Sequence, residues 1–152
     1  MLGHPPDSEA ALAELVRYCE DFAKQMLAKQ GAFYPFAAII NQDGKMEAVG
    51  VHNGEERPQA QELYRLLFDS LNAMASNGRA KASAIAADVN VPANLSAPFP
   101  DAIRVHVRAL GYSRQVYTPY RRYAHRSIRT LFRVVQSVEY AAPIGVDLDE
   151  TD

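Results

Sequence analysis

Eight arginines, at positions 104, 108, 114, 121, 122, 126, 129 and 133, are the only charged side chains between positions 102 and 138 of this 152-residue sequence. A guanidinium is a planar fork of donors that grips a carboxylate or a phosphate at two points. Tyr112, Tyr117, Tyr120 and Tyr123 are interleaved with the arginines, and such rings can stack on bases. Residues 1–101 carry a net charge of −5, residues 102–138 carry +8, and residues 139–152 carry −5. That segregation marks either an anion-binding surface or pairing with acids of the same chain or of another copy. The acidic tail, with Asp147, Asp149, Glu150 and Asp152, is a ready partner. Arginine and tyrosine are also enriched at protein interfaces. A pI near 6.1 argues against a dedicated nucleic-acid binder.

Other chemistries find little support. One cysteine, Cys19, rules out an internal disulfide, and its place on an apolar helical stripe suits an inert packing residue. The four histidines, His4, His52, His106 and His125, are scattered, and no Cys-x-x-Cys or His-Glu-x-x-His spacing occurs. No metal and no cofactor is expected. His106 alternates with arginines on a strand face read as exposed, where a cation is disfavoured. No Gly-x-Ser-x-Gly turn or phosphate-binding loop is present. Glu55-Glu56 falls in a turn and Glu62 on a helix; Glu62 with His52 is the best available acid–base pair, and solvated carboxylates are far commoner.

These side chains need elements to position them. Asp7 and Ser8 can cap a helix over residues 8–30, whose apolar stripe runs Leu12, Leu15, Val16, Cys19, Phe22, Ala23, Met26, Leu27, with Gly31 as its stop. A hairpin follows, with strands at 33–40 and 45–51 around the turn Asn41-Gln42-Asp43-Gly44 and Pro35 at a strand start or edge. A second helix begins near Pro58, carries Leu63, Leu66, Leu67, Leu71 and Met74 inward, and stops at Asn77-Gly78. An alanine-rich strand spans 81–91, and three prolines make 92–100 a loop. Ile103, Val105, Val107 and Ala109 alternate with Arg104, His106 and Arg108, which predicts a strand that turns at 111–113 into another at 114–118. Residues 127–136 suit a helical turn leading into a strand at about 131–140.

The run 34–91, with its hairpin at Asp43-Gly44, its helix and its alanine-rich strand, resembles the start of the cytidine deaminase fold. In that family a zinc ligand and a glutamate open the helix; here Gln59-Ala60-Gln61-Glu62 stands there, and only Glu62 could match. No cysteine motif follows the third strand, so the resemblance implies a fold without zinc hydrolysis. The helix–hairpin–helix–strand order also resembles profilin-like regulatory modules.

The expectation is therefore one α+β domain over residues 1–152, frayed at 1–6 and 147–152. It has a mainly antiparallel sheet of about five or six strands with two main helices on one face. The expected function is that of a small non-catalytic binding or regulatory protein of the cytoplasm. No membrane-spanning run is present. Arg104, His106, Arg108, Arg114, Tyr117, Arg121 and Arg122 form its binding face, with a second copy of the chain or an acidic protein as partner. A small Glu/His enzyme, and RNA, DNA or phosphate binding through the same arginines, are the alternatives.

Overall fold

The structure, a computed structural model, describes residues 8–51, 54 and 58–148. Helix α1 (Glu9–Gln30) starts where the Ser8 hydroxyl accepts a bond from the Ala11 N–H at 3.2 Å. It ends at Gly31, whose φ of 77° lets its N–H return to Leu27. Leu12, Leu15, Cys19, Ala23 and Leu27 are buried along one stripe. Each such leucine contributes roughly 1.5–3 kcal/mol.

Strands β1 (Phe36–Asn41) and β2 (Met46–Val49) form the expected hairpin, and Pro35 stands just before the first. The Asn41 carboxamide oxygen shapes the turn by accepting from the N–H groups of Asp43 and Lys45 at 2.9 and 3.0 Å. Helix α2 (Ala60–Ser76) opens two residues after Pro58 and buries Leu63, Leu67 and Leu71. Then come β3 (Ala80–Asn90), β4 (Asp101–Ala109), β5 (Tyr112–Ser127), β6 (Arg133–Tyr140) and β7 (Ile144–Asp147). The sheet order is β2-β1-β3-β4-β5-β6, with β7 also on β5, and every pairing is antiparallel. The α+β class with its mainly antiparallel sheet is borne out.

The placement of the helices differs from expectation. In β1, Ala38 and Ile40 join the core under α1, while Ala37 and Ile39 join a second core under α2. Successive strand residues point to opposite faces, so the two helices cover opposite sides of the sheet. The sheet is therefore the middle layer. This explains why residues 82–87 of β3 are all alanine, serine or isoleucine: that stretch is buried from both sides, and small residues let both helices approach.

The second hairpin is also longer than its alternation suggested. Strand β5 continues through Pro119 to Ser127, a run of 16 residues. Pro119 has no N–H to give, but its carbonyl accepts from Ala141 at 2.9 Å. Ala141 begins the short gap between β6 and β7, so the missing donor faces a break in the outer strand. A single 3-10 turn, Ile128–Thr130, leads toward β6, close to the expected turn and strand. At the tail, β7 pairs residues 144–147 with 114–117, so position 147 is held rather than frayed. Tyr120 stitches three strands together, donating to Asp88 Oδ1 on β3 at 2.6 Å across β4. Burial raises the Asp88 carboxyl above its ordinary range.

Candidate functional site

The arginine-bearing segment divides between three environments. On β4, Arg104, His106 and Arg108 face α2, opposite the Ile103, Val105 and Val107 that face α1. The Arg104 guanidinium lies 5.1 Å from the centre of the Tyr64 ring, and that of Arg108 lies 4.3 Å from the Phe68 ring. Tyr64 and Phe68 stand one turn apart on α2 and stack at 6.4 Å. The helix thus lays an aromatic pair over both guanidiniums, an arrangement worth about 0.5–2 kcal/mol per contact. Neither arginine has a carboxylate partner among the described residues, and Arg104 Nε is buried without a hydrogen-bond acceptor. Burial lowers the pKa of Arg108.

His106, read from the sequence as exposed, is 3% exposed. Its neighbours on the strand are polar, but α2 closes over them. Its Nε2 lies 2.9 Å from the Ser113 hydroxyl. Burial, and after it the charges of Arg108 and Arg104, push its pKa down to about 4, so the ring is neutral at pH 7. Tyr117, beside Arg104 in the β4–β5 register, is buried, and its hydroxyl donates to Gln115.

Arg114 and Arg122 lie on the opposite, α1 side. Arg114 pairs with Asp147 at 2.7 Å, so one acid of the tail does neutralise one arginine. The Arg122 guanidinium stands against Gly31 at the end of α1 and close enough to Asp88 to favour its charged form. Arg121 makes a two-point contact from Nε and one terminal nitrogen to a single Glu139 oxygen, at 3.1 and 2.9 Å. The seven residues expected on one face are therefore distributed over both faces of the sheet and its far end.

That far end is the third environment. Beyond Tyr120, β5 and β6 continue as a two-stranded ribbon whose residues are largely solvent-exposed. Only its base, at Val138 and Tyr140, packs on the α1 core. The tip presents Ile128 (81% exposed), Leu131 (85%), Phe132 (63%) and Val134 (60%) to solvent. Arg126, Arg129 and Arg133 surround them with no carboxylate partner among the described residues. Leu131 and Phe132 have φ values of 56° and 66°, a left-handed backbone that bulky residues seldom adopt.

The acid–base pair is not assembled among the described residues. Glu62 is half-buried in a shallow depression with Gln59, Tyr64 and Arg65, while His52 and Glu55-Glu56 lie outside the described residues. Burial, with Glu20 nearby, pushes the Cys19 thiol up to about 12, which makes it a poor nucleophile. Among the described residues no group of three or more His, Cys, Asp or Glu side chains could hold a metal, and no helix is long and apolar enough to cross a membrane.

Sequence reasoning missed the aromatic cover on α2 and the apolar tip. The first had a signal, since Tyr64 and Phe68 flank the leucine stripe at a four-residue step. The second had no signal, since apolar residues at 128–134 have the same types and spacing whether they pack inward or face solvent. Comparison with protein-family models, curated proteins and solved structures finds no match to this chain.

Proposed function

We propose that the chain is a non-catalytic binding protein that assembles with a second copy through the β5–β6 ribbon. The observation that carries this reading is the outer edge of β6. Because the Ala141 N–H points to Pro119, alternation along the strand turns the N–H and C=O groups of Val134, Gln136 and Val138 toward the open edge. An apolar edge strand with free backbone groups is a template for pairing with another strand.

An antiparallel pairing of two β6 strands about a two-fold axis at Gln136 fits the side chains as well. It sets Val134 opposite Val138, Arg133 opposite Glu139, and Phe132 opposite Tyr140 of the second copy. Apolar and opposite-charge cross-strand pairs each contribute roughly 0.2–1 kcal/mol. Symmetric pairing of this kind is self-complementary and closes at a dimer.

Gln136→Pro removes a donor that faces the open edge and leaves the β5 ladder intact, whereas Ser137→Pro breaks that ladder. Light scattering on the wild type is expected to give a dimer mass, and Gln136→Pro a folded monomer. Ser137→Pro is expected to lose the ribbon's exchange protection. A wild-type chain that stays monomeric at roughly 100 μM, a concentration far above typical specific dissociation constants, would sink the reading.

A further inference from the structure

At the C-terminal end of α2 a groove of about 390 Å³ opens between the helix, the start of β3 and the β4–β5 turn. Its polar wall consists of Gln42, Asn72, Lys81, Ser83, Arg108 and Ser113, and its apolar wall includes Ala75, Leu110 and Tyr112. Among the described residues two cations line it and no carboxylate does. Arg114 and Arg121 have carboxylate partners in Asp147 and Glu139, whereas Arg108, like Arg104 beside it, has none among the described residues. The Arg108 guanidinium is half-buried on the Phe68 ring, where a charge without a counter-ion is unfavourable.

We propose that this groove binds a small molecule bearing a phosphate monoester, with Arg108 and Lys81 holding the phosphate. A dianion with three acceptor oxygens matches two cations and several neutral donors better than a carboxylate, which Arg108 alone would saturate. Ser83 and Ser113 supply hydroxyls and Asn72 an amide at the same wall. The neutral His106 ring supports Ser113 from behind at 2.9 Å: in the tautomer that carries its proton on Nε2, the ring donates to the hydroxyl oxygen and leaves the Ser113 proton for the ligand. Gln42 reaches across the mouth to the Gly78 carbonyl and fixes that rim. The groove's size lies within the range of small-molecule sites, and its apolar wall suits an organic body attached to the phosphate.

Phenyl phosphate is the probe, with benzoate and chloride at equal ionic strength as comparators. Phenyl phosphate at a hundredfold excess over its dissociation constant is expected to raise the thermal midpoint by roughly 5–10 °C. Amide shifts should be confined to Lys81, Ser83, Arg108 and Ser113. Arg108→Met keeps the stem on Phe68 and removes the charge, and should weaken binding at least tenfold. Lys81→Ala, at an exposed position, provides the same test without touching the core. Arg65→Met, outside the groove, should bind as the wild type does. The proposal is overturned if phenyl phosphate gives no saturable shift up to about 10 mM, weaker than a specific site requires. Benzoate binding equally well would also overturn it, as would both groove variants responding like the wild type.

Discussion

His106 Nε2 lies 2.9 Å from the Ser113 hydroxyl, beneath a helix and between two arginines of its own strand. The bond ties β4 to β5 at the point where the sheet's polar face is covered by α2. It also gives the fold a pH dependence.

The His106 pKa is pushed down to about 4 from an ordinary 6.5. A group whose folded pKa is depressed contributes stability that is complete above its unfolded pKa and lost as pH falls through the folded one. Between pH 7 and pH 4.5 the wild type should therefore lose roughly 2–3 kcal/mol of unfolding free energy through this residue. The charged groups facing it, Arg104 and Arg108, stay cationic throughout, so they do not cancel the effect. Glu20 and Asp88, whose pKa values burial raises, act in the opposite sense at acid pH and belong to both proteins being compared. The difference in urea-unfolding free energy between wild type and His106→Gln isolates the contribution of this ring. A difference that does not vary across this range would refute it.

Leu131 and Phe132 close the ribbon tip in left-handed backbone. Glycine adopts that conformation without a steric penalty, whereas a branched or bulky residue costs about 1 kcal/mol or more. Leu131→Gly should therefore stabilise the isolated monomer by up to about 1 kcal/mol while removing an exposed apolar contact from the proposed dimer. The two readouts move in opposite directions. Thermal denaturation of a Gln136→Pro background measures the first, and the dimer dissociation constant in the wild-type background measures the second. A loss of monomer stability would show that Leu131 is retained for the fold and not for assembly.

Helix α1 was legible from its cap, its stripe and its glycine stop because those signals are local and agree with one another. The alternation of β4 was equally legible, yet it disclosed only that the strand has two different faces. It did not disclose that the polar face is covered, because Arg104 and Arg108 lie half-buried against rings 40 residues earlier in the chain. An arginine's long apolar stem allows it to line a helix–sheet interface, so its presence does not mark solvent. The converse holds at 128–134: an apolar side chain does not by itself mark core, and Leu131 and Phe132 lie outside it. Strand β5 was cut short at Pro119, since whether a proline interrupts a strand depends on which neighbour its missing N–H would have met. These are pairing facts, and no single segment contains them.

Arg104 separates a packing role from a binding role most directly. Its stem and guanidinium cover Tyr64, but its buried Nε has no acceptor among the described residues. The contact is favourable and the unmatched donor is unfavourable, by about 1–3 kcal/mol when such a group is fully desolvated. Methionine keeps the apolar stem over the ring and deletes the donor, so Arg104→Met should leave stability within about 1 kcal/mol of the wild type. Arg104→Glu places a carboxylate against the face of an aromatic ring, where the quadrupole repels it, and should destabilise the protein by roughly 2–3 kcal/mol. Neither substitution touches the ribbon, so the oligomeric mass of the folded fraction should not change. Denaturant melts combined with light scattering decide the matter. If Arg104→Glu folds with wild-type stability but dissociates the oligomer, the arginines of β4 form the interface and the ribbon does not.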